Sequence, residues 1–166
     1  SNSNNEPSEL VLKNLNFSIA AGEKVGVLGH IGSGKSTLVN CLNHHLSLDA
    51  GQIFWGDKDI TLMSRQDWRS YVRTITQEPF LFSDTVAQNV TFGAKQSGQT
   101  TADLGVEQVL ELSQLSEDVQ RFSAGDQTLV GEKGIMLSGG QKQRLSIARA
   151  LLTPCDLIIM DNVLSA

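Results

Sequence analysis

The sequence has 166 residues, 13 basic and 18 acidic side chains, and a formal net charge of -5. That length predicts one domain, and a hydrophobic content of 40% excludes a disordered chain. The excess of acidic residues excludes a nucleic-acid binder that relies on bulk positive charge. Any bound polyanion must therefore be held by a local binding site. No apolar run has the length that spans a bilayer. The 2 cysteines, Cys41 and Cys155, cannot form a disulfide framework, which favours a reducing cytosol.

Apolar runs and turn residues predict the elements in chain order. They are strands at 10–19 and 25–28, a helix at 37–42, a strand at 52–55, a helix after the N-cap Ser64, a strand at 72–76, helices at 85–90, 106–115, 117–122 and 138–152, and a strand at 155–160. Strand 25–28 is predicted to be buried, and 93–101 is a polar connector. Because strands alternate with helices, we expect an α/β fold with a parallel sheet, whose ligands lie at the carboxyl ends of the strands.

Residues 29–36, Gly-His-Ile-Gly-Ser-Gly-Lys-Ser, match the phosphate-loop pattern G-x-x-x-x-G-K-[ST] in full. The glycines let successive N–H groups point at phosphate oxygens, and the following helix adds positive charge at its N-terminus. Lys35 supplies a full charge toward the β- and γ-phosphates, and the Ser36 hydroxyl is suited to Mg²⁺. The residues expected to contact a nucleotide here are Gly29, His30, Ile31, Gly32, Ser33, Gly34, Lys35, Ser36 and Thr37. His30 occupies a variable position and is also compatible with an ordinary surface histidine.

Two further features support a phosphate site. Asp161 follows four apolar residues, the form of a strand whose terminal aspartate faces Mg²⁺, although a polar residue commonly ends a buried strand. Ser138 and Gln141 fit a capping box at the start of the helix 138–152, and Pro154 ends that helix.

Residues 137–141, Leu-Ser-Gly-Gly-Gln, are the signature of the nucleotide-binding domains of ABC ATPases, and the chain resembles that family over nearly its whole length. Gln77 matches the Q-loop glutamine, Asp161 the Walker B aspartate, and 165–166 the first half of the D-loop. Residues 130–134 resemble the X-loop of exporters, and the stretches 77–86 and 135–144 are similar to multidrug-type exporter half-transporters. The resemblance implies a P-loop NTPase core with a mainly parallel sheet, a small antiparallel β part and a helical subdomain that carries the signature.

The resemblance also implies two such domains joined head to tail, with ATP and Mg²⁺ between them. One domain gives the phosphate loop, and the other gives the signature residues Ser138, Gly139, Gly140 and Gln141. Lys35 and Gln77 are then catalytic, Gln77 also contacts the nucleotide, and the metal ligands are Ser36, Gln77 and Asp161. No nucleic-acid partner is expected, since the net charge is negative.

A membrane partner follows from the same resemblance. A transmembrane domain would contact Phe80, Leu81, Phe82 and Glu132. It is either fused upstream in the parent chain, which the exporter resemblance favours, or a separate subunit. The three apolar residues are also compatible with core packing, and Glu132 with a solvated charge. The domain would lie at the cytoplasmic face of the cell membrane, as a soluble part of an integral membrane protein.

Asn162 stands where the family has its catalytic glutamate. An amide holds water by a hydrogen bond but has no titratable carboxylate, and general-base catalysis is worth about 10²–10⁴-fold. The site is therefore predicted to bind MgATP and hydrolyse it poorly, as in the degenerate subunit of a heterodimeric exporter. A homodimer with a functional asparagine, an engineered inactive variant and a non-hydrolysing regulatory module remain alternatives. A non-transport ABC ATPase is disfavoured by the charge.

The resemblance implies that the chain is one nucleotide-binding domain, 1–166, and a fragment of a longer protein. The strand with the adenine-stacking aromatic (the A-loop) would precede Ser1, and the switch histidine and the end of the D-loop would follow Ala166. His44 and His45 follow the phosphate-loop helix, so neither matches the switch histidine.

Overall fold

The computed structural model describes residues 11–92 and 104–161. They divide into two compact units, one that ends at Met63 and one that begins at Ser64. No helix among these residues is long and apolar enough to cross a membrane. The whole predicted connector 93–101 and all of 162–166 lie outside the described residues, so the structure does not test the predictions made there.

The first unit contains helix α1 (Lys35–Leu42) and a small hairpin of strands β1 (Phe54–Trp55) and β2 (Lys58–Asp59). The two strands are antiparallel, and Gly56 takes a φ of 57° in the turn between them. A 3-10 helix, Ile60–Leu62, follows, and its Ile60 is buried. The predicted helix at 37–42 is therefore confirmed, and the strand predicted at 52–55 is confirmed for its last two residues.

The strands predicted at 10–19 and 25–28 are wrong for the described residues. Residues 11–33 contain turns but no strand, and Val27 and Leu28 are 53% and 96% exposed. An apolar run becomes a buried strand only where a neighbouring strand completes its hydrogen bonds and other elements cover its faces. No described strand pairs with this segment, and its apolar composition alone is not enough to form a strand.

The described residues of the second unit form five α-helices, one 3-10 helix and four strands. They are α2 (Arg65–Tyr71), β3 (Val72–Ile75), β4 (Asp84–Thr85), α3 (Val86–Thr91), α4 (Val106–Leu112), α5 (Ser116–Gln120), a 3-10 helix (Gly125–Gln127), β5 (Leu129–Val130), α6 (Gly139–Leu152) and β6 (Leu157–Met160). The helices and strands predicted from Ser64 onward are thus confirmed, with ends that shift by a few residues. Ser64 is the predicted N-cap, because its side chain accepts from the Asp67 N–H.

The sheet topology confirms the predicted fold class. Strands β3 and β6 are parallel, with Val72 opposite Leu157 and Ile75 opposite Met160. Strands β4 and β5 form a small antiparallel pair. Parallel strands need a crossover connection, and the helices between β3 and β6 supply it.

Helix α6 is buried on two sides. Leu145, Ala148 and Leu152 pack with helices α3 and α4 in the main core cluster. Ala150 joins a second cluster with Ile75 of β3. One helix therefore connects the helical part of the unit to its parallel strands. The buried apolar residues of the main cluster are Val86, Val90, Val109, Leu110, Leu115, Val119, Val130, Leu137, Leu145, Ala148 and Leu152.

We expect Leu145→Ala to lower the free energy of unfolding by about 2–5 kcal/mol, because it leaves a cavity at a fully buried position. Urea denaturation with an unchanged m-value measures the loss. Leu112→Ala is the matched control, since Leu112 of α4 is 58% exposed, and it should change stability by less than about 0.5 kcal/mol. Equal losses in the two variants would contradict the position of α6 in the core.

Candidate functional site

The phosphate-loop residues curl around the ammonium group of Lys35. Its Nζ donates to the carbonyl oxygens of Gly29 at 2.7 Å and His30 at 2.8 Å. The Ser33 N–H donates to the same His30 carbonyl at 3.1 Å, which closes the turn. An ammonium group has three donors, so a donor remains for a phosphate oxygen.

The start of α1 fits an anion and a hard metal ion. Gly34 has a φ of 92°, and a Cβ there would lie 2.8 Å from Leu12 Cδ2, so glycine is required for the turn into the helix. No described side chain caps the first turn of α1, and its N–H groups are therefore open to phosphate oxygens. Ser36 is exposed in this turn, where its hydroxyl is accessible to Mg²⁺. His30 is exposed.

Gln77 and Asp161 follow neighbouring parallel strands. Ile75, near the end of β3, is paired with Met160, and the Asp161 N–H donates to the Ile75 carbonyl at 2.9 Å. Both residues therefore lie at the carboxyl edge of the strand pair, where ligands of such sheets bind. The side chain of Gln143 on α6 donates to the Gln77 carbonyl at 3.3 Å. This hydrogen bond connects Gln77, the Q-loop position, to helix α6.

A metal at this site would rely on few protein ligands. The described residues contain no group of three or more His, Cys, Asp or Glu side chains that could hold a metal ion. Mg²⁺ commonly takes one or two protein oxygens and completes its shell with water and phosphate oxygens. Within the second unit, the candidate ligands Gln77 and Asp161 fit that pattern in chemical type, and Ser36 of the first unit offers an oxygen of the same kind.

The signature residues form the start of α6, and the predicted capping box is present. Ser138 Oγ accepts from the Gln141 N–H at 3.2 Å, while Gln141 Oε1 accepts from the Ser138 N–H at 2.9 Å. Ser138 and Gly139 are exposed. The motif thus places a hydroxyl and glycine N–H groups at an accessible helix N-terminus, which favours anion binding.

Asp118 of α5 supports the signature, and the sequence analysis missed it. Its Oδ1 accepts from Gln141 Nε2 at 3.0 Å, and its Oδ2 accepts from Arg144 Nη2 at 2.8 Å. The hydrogen bond from Gln141, and after it that from Arg144, holds the pKa of the Asp118 carboxyl below its ordinary value. In sequence, Asp118 resembles any acidic residue in a first helical turn, so only the fold reveals the contact.

An apolar cleft of about 400 Å³ lies beside the signature helix. Its lining comprises 79–83, 131–132, 136–137 and 142. Phe80 and Met136 are 69% and 71% exposed, so the core-packing interpretation of Phe80 is wrong. Leu81 packs partly against the main core cluster. Glu132 is an exposed charge on the lining.

The family model described as ABC transporter matches residues 12–165 of this chain. The multidrug resistance-like ATP-binding protein MdlA of Escherichia coli is 43% identical over 93% of this chain and 26% of that protein. The mouse ATP-binding cassette sub-family B member 10, mitochondrial, is 39% identical over 96% of this chain and 22% of that protein.

A structural comparison gives a consistent result. A solved structure of a bacterial Atm1-family ABC exporter with ATP bound has a TM-score of 0.83 and 31% identity, over 94% of this chain and 27% of that chain. The chain therefore spans about a quarter of the length of the relatives that it matches.

We expect Asp118→Asn to lower stability at neutral pH and to lose that effect in acid. The folded-state pKa of Asp118 is depressed, so its contribution is present above the unfolded-state pKa of about 3.9 and disappears as pH falls through the folded value. Urea unfolding of wild type and variant between neutral pH and about pH 3 measures the difference. Asp57→Asn, in the exposed β1–β2 turn, is the control. A difference that does not change with pH would contradict this account.

Proposed function

The chain belongs to the ABC transporter family, and on that basis we propose that it is the ATP-binding domain of a multidrug- or Atm1-type exporter. The observation that carries the proposal is the phosphate loop, whose backbone surrounds the Lys35 ammonium group and leads into an uncapped helix start. This arrangement lets an acidic protein hold a triphosphate without a basic surface. The bound ATP of the solved Atm1-family relative supports the same assignment.

In this proposal residues 29–37 hold the phosphates, and Ser36, Gln77 and Asp161 hold Mg²⁺. The signature at 138–141 contacts the ATP of a second nucleotide-binding domain, so two chains complete two sites head to tail. The exposed N-terminus of α6 supports this role, because its hydroxyl and N–H groups are accessible to another molecule. ATP binding between the domains would draw them together and move the attached membrane domain.

The apolar cleft around Phe80 and Met136 is the proposed contact with the transmembrane domain. An exposed apolar cleft with a charged Glu132 on its lining suits a short amphipathic segment of a partner. The relatives are roughly four times as long as the matched region, which supports a membrane domain fused in the parent chain. The domain would then lie at the cytoplasmic face of the membrane.

We further propose that the site built on Lys35 and Asp161 hydrolyses ATP poorly, because Asn162 replaces the glutamate that would accept the proton from water. The intact signature still serves a partner's phosphate loop, so a heterodimer with a glutamate-bearing partner fits this chain best. A non-hydrolysing regulatory module is the second candidate, and Asn162 is the feature that favours it. ATP hydrolysis by the heterodimer, at the site that contains the partner's phosphate loop, would exclude the regulatory module.

We expect Lys35→Ala to weaken ATP binding at least tenfold in the parent protein, because one charge-assisted hydrogen bond is worth about 1.5–3 kcal/mol. Equilibrium titration with a fluorescent ATP analogue and Mg²⁺ measures the affinity. Lys24→Ala removes an exposed lysine outside the loop and serves as the matched control. Equal affinities in Lys35→Ala and wild type would contradict the nucleotide site.

We expect Asn162→Glu to raise the ATP hydrolysis rate of the purified parent protein by about 10²–10⁴-fold, since it restores a general base. Asn162→Gln has the length of glutamate without its carboxylate, and this control should stay slow. Wild-type turnover at about 1 s⁻¹ or faster that Lys35→Ala abolishes would contradict the degenerate site. A working homodimer would then be the simpler account.

A further inference from the structure

Arg149, near the end of α6, is anchored by the backbone that lines the apolar cleft. Its guanidinium donates to the Asn89 carbonyl at 2.8 Å, to Asn89 Oδ1 at 3.2 Å and to the Phe80 carbonyl at 3.1 Å. Its central carbon lies 5.8 Å from the ring centres of both Phe82 and Phe92. The planar guanidinium thus combines hydrogen bonds in its plane with aromatic contacts.

Asn89 of α3 extends this anchor to the next cleft residue. It is fully buried, its Oδ1 accepts from the Phe82 N–H at 2.9 Å, and its Nδ2 donates to the Phe82 carbonyl at 3.0 Å. Nδ2 also donates to the Thr85 carbonyl at 3.0 Å. Both backbone groups of Phe82 are therefore held by one buried amide that Arg149 contacts in turn.

Among the described residues, the Arg149 guanidinium contacts carbonyl and amide oxygens and aromatic rings, and forms no ion pair with a carboxylate. Burial lowers the pKa of Arg149 below its ordinary value. Arginine stays protonated in proteins despite such burial. Because a partly buried cation is costly unless its donors are satisfied, these hydrogen bonds favour one position of the Phe80 backbone and, through Asn89, of the Phe82 backbone relative to α6.

Helix α6 also carries the signature at its first turn. Ten residues separate Gly139 from Arg149, a distance of about 15 Å at 1.5 Å per residue. No proline or glycine interrupts the helix between Gln141 and Leu152, so it moves as a rigid rod. A displacement of the signature therefore also moves the residues that Arg149 contacts.

We propose that Arg149 is a positioning residue that couples nucleotide binding at the signature to the docking segment, defined as residues 80–82. Asn89 is the buried relay that extends the coupling from Phe80 to Phe82. This inference rests on the proposed function, since it takes the docking segment as the contact with the transmembrane domain. It assigns that transmission to a partly buried arginine on α6 and a buried amide on α3.

Hydrogen–deuterium exchange of the parent protein in lipid nanodiscs, with and without MgATP, tests the coupling. In wild type we expect MgATP to change exchange in peptides covering 29–37 and 79–92. In Arg149→Lys we expect the change at 79–92 to fall at least threefold while the change at 29–37 remains, because lysine cannot present the planar fork. A purely structural role would raise exchange equally with and without MgATP, leaving the difference unchanged, and that result overturns the inference.

Arg121→Lys is the matched control, because Arg121, at the C-cap of α5, is an exposed arginine whose guanidinium lies 3.7 Å from the Glu117 carboxylate. It should retain both responses. If Arg149→Lys does not fold, Phe92→Leu tests the coupling instead, because it removes one ring beside Arg149 and leaves the hydrogen bonds of Arg149 in place. A reduced exchange response to MgATP at 79–92 in Phe92→Leu supports the coupling, and a full response overturns it.

Two wild-type outcomes separate this inference from the proposed function. A response at 29–37 with none at 79–92 overturns the coupling alone. The absence of any response at 29–37 overturns the nucleotide site, and the coupling with it.

Discussion

Burial of helix α6 on two sides is the interaction on which the second unit depends. Leu145 and Leu152 fill the space between α3 and α4, while Ala150 meets Ile75 of the parallel pair. Ile147 also packs on the strand side, and Ala148 joins the leucines on the helical side. The signature at its first turn, the Gln143 contact to the Q-loop and Arg149 therefore share one rigid frame.

The net charge of -5 would repel a triphosphate. The attraction that holds a nucleotide must therefore come from charges and dipoles close to the binding site. The groups suited to attract a phosphate are the Lys35 ammonium group and the N-termini of α1 and α6. Asp118 lies close to the signature, yet its charge is shared between Gln141 and Arg144. The carboxylate thus orients the amide that caps Ser138 without leaving an unpaired negative charge beside the anion site.

The sequence predicted the second unit well because its elements carry local signals. Ser64 and Ser138 are N-caps with hydrogen bonds to the third residue of each helix, and such chemistry is visible in a single stretch of sequence. The phosphate loop and signature were found for the same reason. The segment 25–28 failed because burial of a strand is decided by its neighbours, and composition says nothing about whether they pair with it.

The contacts that sequence reasoning missed are all between distant positions. Asp118 meets Gln141 across 23 residues, and Arg149 meets Asn89 across 60. A weak signal was present in the second case, since Asn89 and Arg149 each interrupt an apolar helix face with a polar side chain. Such an interruption indicates a buried polar partner but does not identify it.

The two arginines of α6 have different dependence on ionic strength. Arg144 pairs with the Asp118 carboxylate, and their side chains are 36% and 24% exposed, so dissolved ions reach and screen this pair. Arg149 is held by dipoles and aromatic faces that carry no net charge, and screening acts little on such short-range contacts. As salt rises, the Arg144–Asp118 ion pair therefore weakens first, while the contacts of Arg149 with Phe80 and Phe82 change little.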